Sequence, residues 1–440
     1  MPRRKKRRKK KIIPMAKTPY SLRGMNDILP ADEVYWEYVI RKGEKIAREY
    51  GFKKIETPIL EKTALFVRSV GKDTDIVEKE MFTFTNQGED EICLRPEATA
   101  SMARAYIEHG MIELPQPVKL YHLGPIFRYS RPQAGRFREF HQFDFDVLGD
   151  PHPVIDAQLI LIAYNFCQSL ELKVNIQVNS IGCSLCRGDY KKALKKYLSS
   201  KKKSLCKVCK KRLLKNPLRI LDCKEKSCQE VVSEVPQIVD WLCEDCKGHF
   251  VKVLEYLDEL EVPYVLNPYL VRGLDYYNRT VFEIWLTSDE RGENSLGGGG
   301  KYDDLVEVLG GKPTSACGFA LGLERVISSF KEVAGVEKKI SKEKPKIFLA
   351  QLGEIARRKS LVLFEDFRSK GIRAIETFSK DSLRTQLEIA NKSGVKFTLI
   401  LGQKEVIDGT IIIRDMESRI QEVINFEKVV PEIEKRLEEQ

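Results

Sequence analysis

The chain has 440 residues, 42% of them hydrophobic and 32% charged, the proportions of a soluble globular protein with room for two or three domains. No apolar run approaches the roughly 18 residues that a membrane-spanning helix needs. Of the net charge of +11, nine units sit in one unbroken leader, Arg3 to Lys11, so the remaining two leave any nucleic-acid surface to a local patch.

Residues 1–17 read as that basic leader. It has no apolar segment for a secretory signal and none of the serine-rich amphipathic pattern of a transit peptide. Like charges repel and nothing here can be buried, so disorder is expected. The run reads either as a polyanion-binding or nuclear-localisation arm, or as a solvated extension ahead of a second start at Met15-Ala16.

From Pro30 the pattern mixes helices and strands. Ala31 to Tyr50 sets Tyr35, Val39, Ile46 and Tyr50 at helical spacing and stops at Gly51. Lys54 to Leu60 reads as a strand whose Pro58 suits an edge or an interface. Met81–Phe84 and Ile92–Leu94 read as a hairpin, Ala98–Tyr106 as a helix, and Lys119–Tyr129 and Phe140–Leu148 as strands joined by the polar loop Ser130–Arg138. Helices set against consecutive hairpin strands predict an α+β fold with an antiparallel sheet.

The texture then changes: residues 183–250 carry lysine runs and eight cysteines, and read as an insertion. Strands resume at about Pro263–Val271 and Val281–Leu286. The core is thus expected in two parts, 18–182 and 251–336, with a lysine-rich linker at 337–345. Residues 346–440 alternate strands and helices and read as a separate small α/β domain.

The cysteine spacing is specific. Cys183-x₂-Cys186 and Cys206-x₂-Cys209 make one candidate four-thiolate zinc set, and Cys223-x₄-Cys228 with Cys243-x₂-Cys246 a second, with His249 as a substitute ligand. Pairing in sequence order is preferred and interleaving stays open. The insertion is too short and polar to bury much core by itself, a situation in which a structural metal staples small folds. Cys93, Cys167 and Cys317 stand apart and read as buried thiols.

Three arginine settings follow. Phe127–Phe140 ends a strand in Arg128 and turns through a basic loop; Cys317–Arg325 feeds a small-residue strand into a helix opened by Arg325. Leu270–Thr280 packs Arg272, Asp275, Tyr276 and Tyr277 into one run expected to be extended, so that Arg272 and Tyr276 share a face of a pocket for a small polar ligand. Arginine's planar fork suits bidentate contact with phosphates and carboxylates. Gly297–Gly300 allows close backbone approach and reads as a pocket floor rather than a flexible loop. The five histidines form no metal-binding pair on a helix, and no Ser/His/Asp grouping is visible.

Phe127–Phe140 resembles motif 2 of class II aminoacyl-tRNA synthetases, Gly318–Arg325 resembles motif 3, and the strand around Pro58 resembles the dimer-forming motif 1. Arg23–Pro30, Leu94–Thr99, the Arg272 run and Gly299–Asp303 are similar to signatures of the histidyl-tRNA synthetase family, across about residues 18–440. That resemblance implies an antiparallel-sheet catalytic core with a Cys-rich insertion, followed by an anticodon-binding α/β domain. It implies ATP-dependent attachment of L-histidine to tRNA(His) through histidyl-adenylate, with Mg²⁺, in a cytoplasmic homodimer without membrane association.

Carried over residue by residue, it makes Arg128, Arg272 and Arg325 the catalytic arginines, and adds Glu324 to them for ATP. It assigns histidine to Glu97, Ala98, Thr99, Arg128, Gln142, Asp146, Arg272, Tyr276 and Tyr277, and the 5′ end of the tRNA to Arg131 and Gln133. Asp146 stands where bacterial members often have glutamate. The synthetase-like regulatory subunit of ATP phosphoribosyltransferase shares the fold but usually lacks the C-terminal domain, which makes it the alternative reading.

Overall fold

The computed structural model describes residues 19–131, 135–288, 295–340 and 345–438, so the leader lies outside the described residues. The chain divides into two compact units, 1–340 and 341–440.

The first unit is organised around an eight-stranded sheet. Its centre is antiparallel: Val118–Phe127 pairs with Glu139–Leu148, which pairs with Ala316–Gly322, then Ser295–Lys301, Asn278–Leu286 and Val174–Ser180. Short parallel strands close both edges, Lys53–Lys54 beside Val118–Phe127 and Tyr264–Leu266 beside Val174–Ser180.

Side-chain alternation separates the two faces. Along Glu139–Leu148, Phe143, Phe145 and Val147 enter the apolar core under the helices Pro30–Glu49, Pro153–Ser169, Glu244–Glu259 and Leu323–Lys331. Gln142, Asp144 and Asp146 fall on the opposite face. The same period puts Phe319 and Leu321 into that core, leaving Gly318, Ala320 and Gly322 on the other side, and puts Phe282 and Ile284 into it, leaving Glu283. One face is therefore oily. The other carries the polar groups.

Four expectations need correction. Lys54–Leu60 is not one strand: residues 55–59 cross from the large sheet to a three-stranded sheet, where Leu60–Lys62 pairs with Glu91–Leu94. Pro58 has no N–H for a ladder, and Arg95 instead donates to Thr57 O at 2.6 Å. The strand before Arg272 is only Tyr264–Leu266, and 267–277 is a loop following Pro268. The linker span 337–345 overlaps the helical turn Val336–Lys339, while residues 341–344 of it lie outside the described residues.

The insertion is the fourth. It is helical, with helices Ser184–Ser200, Lys207–Lys215 and Lys226–Val232, and the proposed boundary at 250 falls inside the single helix Glu244–Glu259. It also buries more than its lysines implied. Tyr190, Leu194, Leu198, Leu213, Ile220 and Val232 join one apolar cluster with Tyr276, Tyr302 and Val281 of the core. The lysines occupy the outer faces of helices whose apolar stripe points inward.

The second unit has a five-stranded sheet in the order Ala374–Glu376, Ile347–Gln351, Phe397–Leu401, Thr410–Asp415, Gln421–Asn425. The first three strands are parallel and the last two antiparallel. Ile347, Leu349, Phe397, Leu399 and Ile413 pack against Phe367 of the helix Glu354–Ser369 and Ile433 of Val429–Glu438.

Candidate active site

A cavity of about 700 Å³ opens on the polar face of the large sheet. It is lined by all three arginines singled out above, Arg128, Arg272 and Arg325, with Glu97, Thr99, Gln142, Tyr276, Tyr277 and Glu324. Gly297 and Gly298 form part of its floor, but as a strand of the sheet centre rather than a loop. A Cβ on Gly298 would come within 2.8 Å of Arg272 Nη1, so only glycine leaves this guanidinium its position.

Each arginine is held by fixed acceptors. Arg128 Nε donates to Pro96 O at 2.7 Å, and its guanidinium stands 5.4 Å from the Phe140 ring centre. Arg272 Nη1 donates to Glu283 Oε1 at 2.5 Å and lies over the Tyr277 ring. Arg325 donates from Nε to Gly135 O at 2.9 Å and from Nη1 to Ser295 O at 2.5 Å. Glu324, next to it, accepts from the backbone and ring nitrogens of His141 at 2.9 and 3.0 Å. Arg272 thus enters from a loop, not by strand alternation as expected.

The carboxylates lie deeper. Glu97 precedes the helix Thr99–Glu108, whose N-cap is the buried Ala98, and accepts from Ala100 N at 2.9 Å and from Tyr276 O–H at 3.3 Å. Burial pushes its carboxyl up to about 7, the Ala100 N–H pulling back and Asp144 adding to the rise. Asp146 sits behind the wall and accepts from the Tyr302 hydroxyl. Burial holds its carboxyl well above the usual range, offset in part by that hydroxyl. Burial likewise lifts the Tyr277 phenol to about 12.

Among the described residues, Gln142 Oε1, Asp146 Oδ2 and Arg272 Nε are buried with no partner in hydrogen-bonding geometry. Unpaired buried polar atoms cost about 1–3 kcal/mol each, so a polar ligand that satisfies them gains correspondingly.

Arg131 is exposed and outside the cavity lining, and Gln133 lies outside the described residues. Three contributors escaped the sequence reading. Asp144 lines the cavity and pairs with His122 at 3.1 Å; Glu283 anchors Arg272; Tyr302 orients Asp146. Glu283 did leave a signal, a lone carboxylate in the otherwise apolar run Val281–Leu286. Insertion residues Arg212, Arg219 and Cys223 also line the cavity, which no local pattern announced.

The eight insertion cysteines form two groups, each with its four sulfurs within 4.8 Å of one another: Cys183, Cys186, Cys243 and Cys246, and Cys206, Cys209, Cys223 and Cys228. The pairing is nested, neither in sequence order as preferred nor interleaved, because the helices carry the outer pairs together at the neck of the insertion and leave the inner pairs to each other. His249 belongs to neither group; its Nε2 meets Asp156 in the core.

An antiparallel sheet carrying motif-2 and motif-3 arginines into one cavity defines the catalytic core of a class II aminoacyl-tRNA synthetase. Residues 24–326 match the family model of histidyl-tRNA synthetase, and residues 346–436 that of the anticodon binding domain. The histidine–tRNA ligase of Dehalococcoides mccartyi strain 195 is 44% identical over 418 residues, covering 95% of this chain and 99% of that protein. That of Desulforamulus reducens is 44% identical, covering 93% and 97%. The crystal structure of apo histidyl-tRNA synthetase from S. aureus superposes with a TM-score of 0.76 at 34% identity, covering 95% of this chain and 99% of that one. The chain belongs to the histidyl-tRNA synthetase family.

Proposed function

We propose that the protein joins L-histidine to ATP as histidyl-adenylate and then transfers the acyl group to tRNA(His), acting in the cytoplasm. The observation that carries this reading is the convergence of Arg128, Arg272 and Arg325, from three separate segments, on one cavity with orphaned polar atoms at its base. In the first step a histidine carboxylate oxygen attacks the α-phosphorus, forming a P–O bond as the bond to pyrophosphate breaks. Arg128 bridges the α-phosphate and the substrate carboxylate, Arg272 stabilises charge on the α-phosphate oxygens, and Arg325 holds the γ-phosphate. Positioning and electrostatic stabilisation supply the acceleration.

Mg²⁺ would neutralise the departing pyrophosphate, and Glu324, a hard oxygen donor beside Arg325, is the residue suited to it. Glu97, Thr99 and Gln142 receive the α-amino group, with the Ala98 backbone beside them. Asp146, Tyr276 and Tyr277 face the imidazole. The reading is tested by ATP–pyrophosphate exchange with each of the twenty amino acids: exchange driven by histidine alone is expected, and equal exchange with any other would overturn it. The regulatory alternative is disfavoured, since the three arginines and an anticodon-binding domain are all present.

Three further assignments belong to the same proposal. The α/β domain takes splayed anticodon bases. The lysine-rich insertion meets the acceptor arm through phosphates, and Arg131 with Gln133 meets its 5′ end. Two protomers join through the segment around Pro58, where Ile59 and Leu60 are exposed apolar residues.

Each cysteine group would hold one structural zinc. A tetrahedral Zn–S₄ site sets sulfurs about 3.8 Å apart, and Cys183 and Cys186 already lie 3.6 Å apart. Backbone N–H groups of Cys209 and Cys243 donate to Cys206 and Cys186 sulfurs at 3.4 and 3.1 Å. Burial raises the Cys206 thiol, but such donors outweigh it and bring the group down to about 7, whereas burial and the neighbouring sulfurs push Cys209 up. Elemental analysis of protein purified without chelators should find two zinc ions per chain.

A further inference from the structure

The two cysteine groups have the same chemistry but different surroundings. Cys183, Cys186, Cys243 and Cys246 close the neck of the insertion, and none of their thiols lines the active-site cavity. Cys206 and Cys223 of the other group do line it, together with Val208, Arg212, Arg219 and Lys224.

The segment around that second group is tied to the core at Asp75, Glu78 and the loop that carries Arg272. Cys206 caps the helix Lys207–Lys215. That helix carries Arg212, whose Nη2 meets Asp75 Oδ2 at 2.8 Å, and Lys215, whose Nζ meets Glu78 Oε1 at 2.5 Å. Just beyond it, Asn216 donates to Asp275 Oδ1 at 3.1 Å, three residues from Arg272. Residues 267–277 form no strand and have no sheet ladder to fix them. The helix beside the neck group also meets this loop, through Arg187 Nη1 to Tyr277 O at 2.8 Å and the charge of Lys191 near Asp275, but it brings no thiol to the active-site cavity.

We propose that the ion held by Cys206, Cys209, Cys223 and Cys228 is a positioning element of the adenylation site, fixing residues 206–225 as the cavity wall that holds the Arg272 loop in place. This rests on the zinc reading above and goes beyond it: one of two chemically alike staples is coupled to substrate, and the other is not. A wall that must be ordered before ATP and histidine bind is itself stabilised by their binding, because coupling between two sites is reciprocal. Filling the cavity therefore slows loss of this ion.

The test follows zinc release to a chromophoric chelator from the full-length protein, with and without saturating MgATP and histidinol, which lacks the carboxylate and so cannot be adenylated. Release should be biphasic, and the ligands should slow one phase by about tenfold. The single-site variants assign it: Cys246→Ser, keeping the cavity-side ion, should retain the tenfold effect, and Cys228→Ser, keeping the neck ion, should lose it. Arg212→Ala touches no thiol; it should keep both ions, lose the ligand effect, and raise the KM for ATP more than it lowers kcat. Two bound zinc ions with both release phases indifferent to ligand would overturn the coupling while leaving the metal reading intact. Protein that carries no zinc at all would overturn both.

Discussion

Removing Arg272 gives the sharpest test of the proposed mechanism, because its setting separates catalysis from stability. On the proposed mechanism Arg272→Ala would delete a donor to the α-phosphate, and it also takes from Glu283 its 2.5 Å partner. The catalytic loss should match the deletion of one preorganised stabiliser, about 10²–10³ in rate, or roughly 3–4 kcal/mol. The loss of stability should be smaller than the 3–5 kcal/mol of a fully buried broken pair. Glu283 keeps a hydrogen bond from Trp285 Nε1 at 2.9 Å, and its side chain is 20% exposed, so about 1–2 kcal/mol is expected. Glu283→Gln added to Arg272→Ala should recover most of that stability and none of the rate. Single-turnover adenylate formation at saturating ATP and histidine reads the first quantity, and urea unfolding the second. A single-turnover rate within about threefold of the unmodified protein would remove Arg272 from the chemistry, since such a change is under 1 kcal/mol of barrier.

Burial lifts Glu97 to about 7, so this carboxyl is protonated below that pH and cannot receive the charged α-amino group; the KM for histidine should climb as pH falls through 7, and Glu97→Gln should flatten that limb. The linked stability has the opposite sign from a salt-bridged acid. The folded state binds the extra proton between the ordinary carboxylate range and 7, so stability falls as pH rises through that window, and Glu97→Gln should unfold with less pH dependence there. Tyr302→Phe leaves Asp146 without its hydroxyl donor and should raise the KM for histidine about tenfold with a smaller change for ATP, measured by exchange kinetics. Light scattering should find a dimer that Ile59→Asp dissociates; an unmodified protein that is monomeric and active would refute the proposed interface.

The sequence was most legible where local pattern and chemistry coincide. Lys119–Tyr129 and Phe140–Leu148 read as strands joined by a polar loop, and in the structure their period-two alternation puts Phe143, Phe145 and Val147 in the core and Gln142, Asp144 and Asp146 on the facing side. What it could not carry was contact between distant segments. Arg272 meets Glu283 from a loop over the polar face of the sheet, and Arg212 meets Asp75 over 137 positions; neither partner sits at a helical or strand spacing from the other. The four-glycine run reads as a pocket floor, which Gly297 and Gly298 are, but its strand goes unread for a related reason. Glycine weakens a strand locally, yet here the close packing of neighbouring chains and of Arg272 requires it, so tertiary crowding overrides propensity. The cysteine pairing failed likewise, since spacing along the chain says which thiols are neighbours within a turn, not which turns the helices bring together.

The arrangement of charge also bears on how histidine would be selected. In the proposed reading three arginines would draw the triphosphate and the substrate carboxylate into the cavity, but any amino acid would satisfy them. Discrimination has to come from the layer beneath, where Glu97, Asp144 and Asp146 are buried on one sheet face and Asp146 keeps an unpaired oxygen. Gly318 opposite Asp146 leaves the carboxylate its space, for a Cβ there would collide with Asp146 Oδ1. In the proposed reading an imidazole would donate a ring N–H to that oxygen, whereas an aliphatic or phenyl ring of similar size would seal it away from water unpaired. Sites built to hydrogen-bond a substrate reject analogues lacking the group by about 10⁴–10⁵, against about 10–200 for a methylene in an apolar pocket. Specificity of that size would follow from the cost of one buried, unsatisfied carboxylate, and Asp146→Asn, which keeps the volume and lowers the acceptor strength, should therefore cost histidine more than it costs ATP.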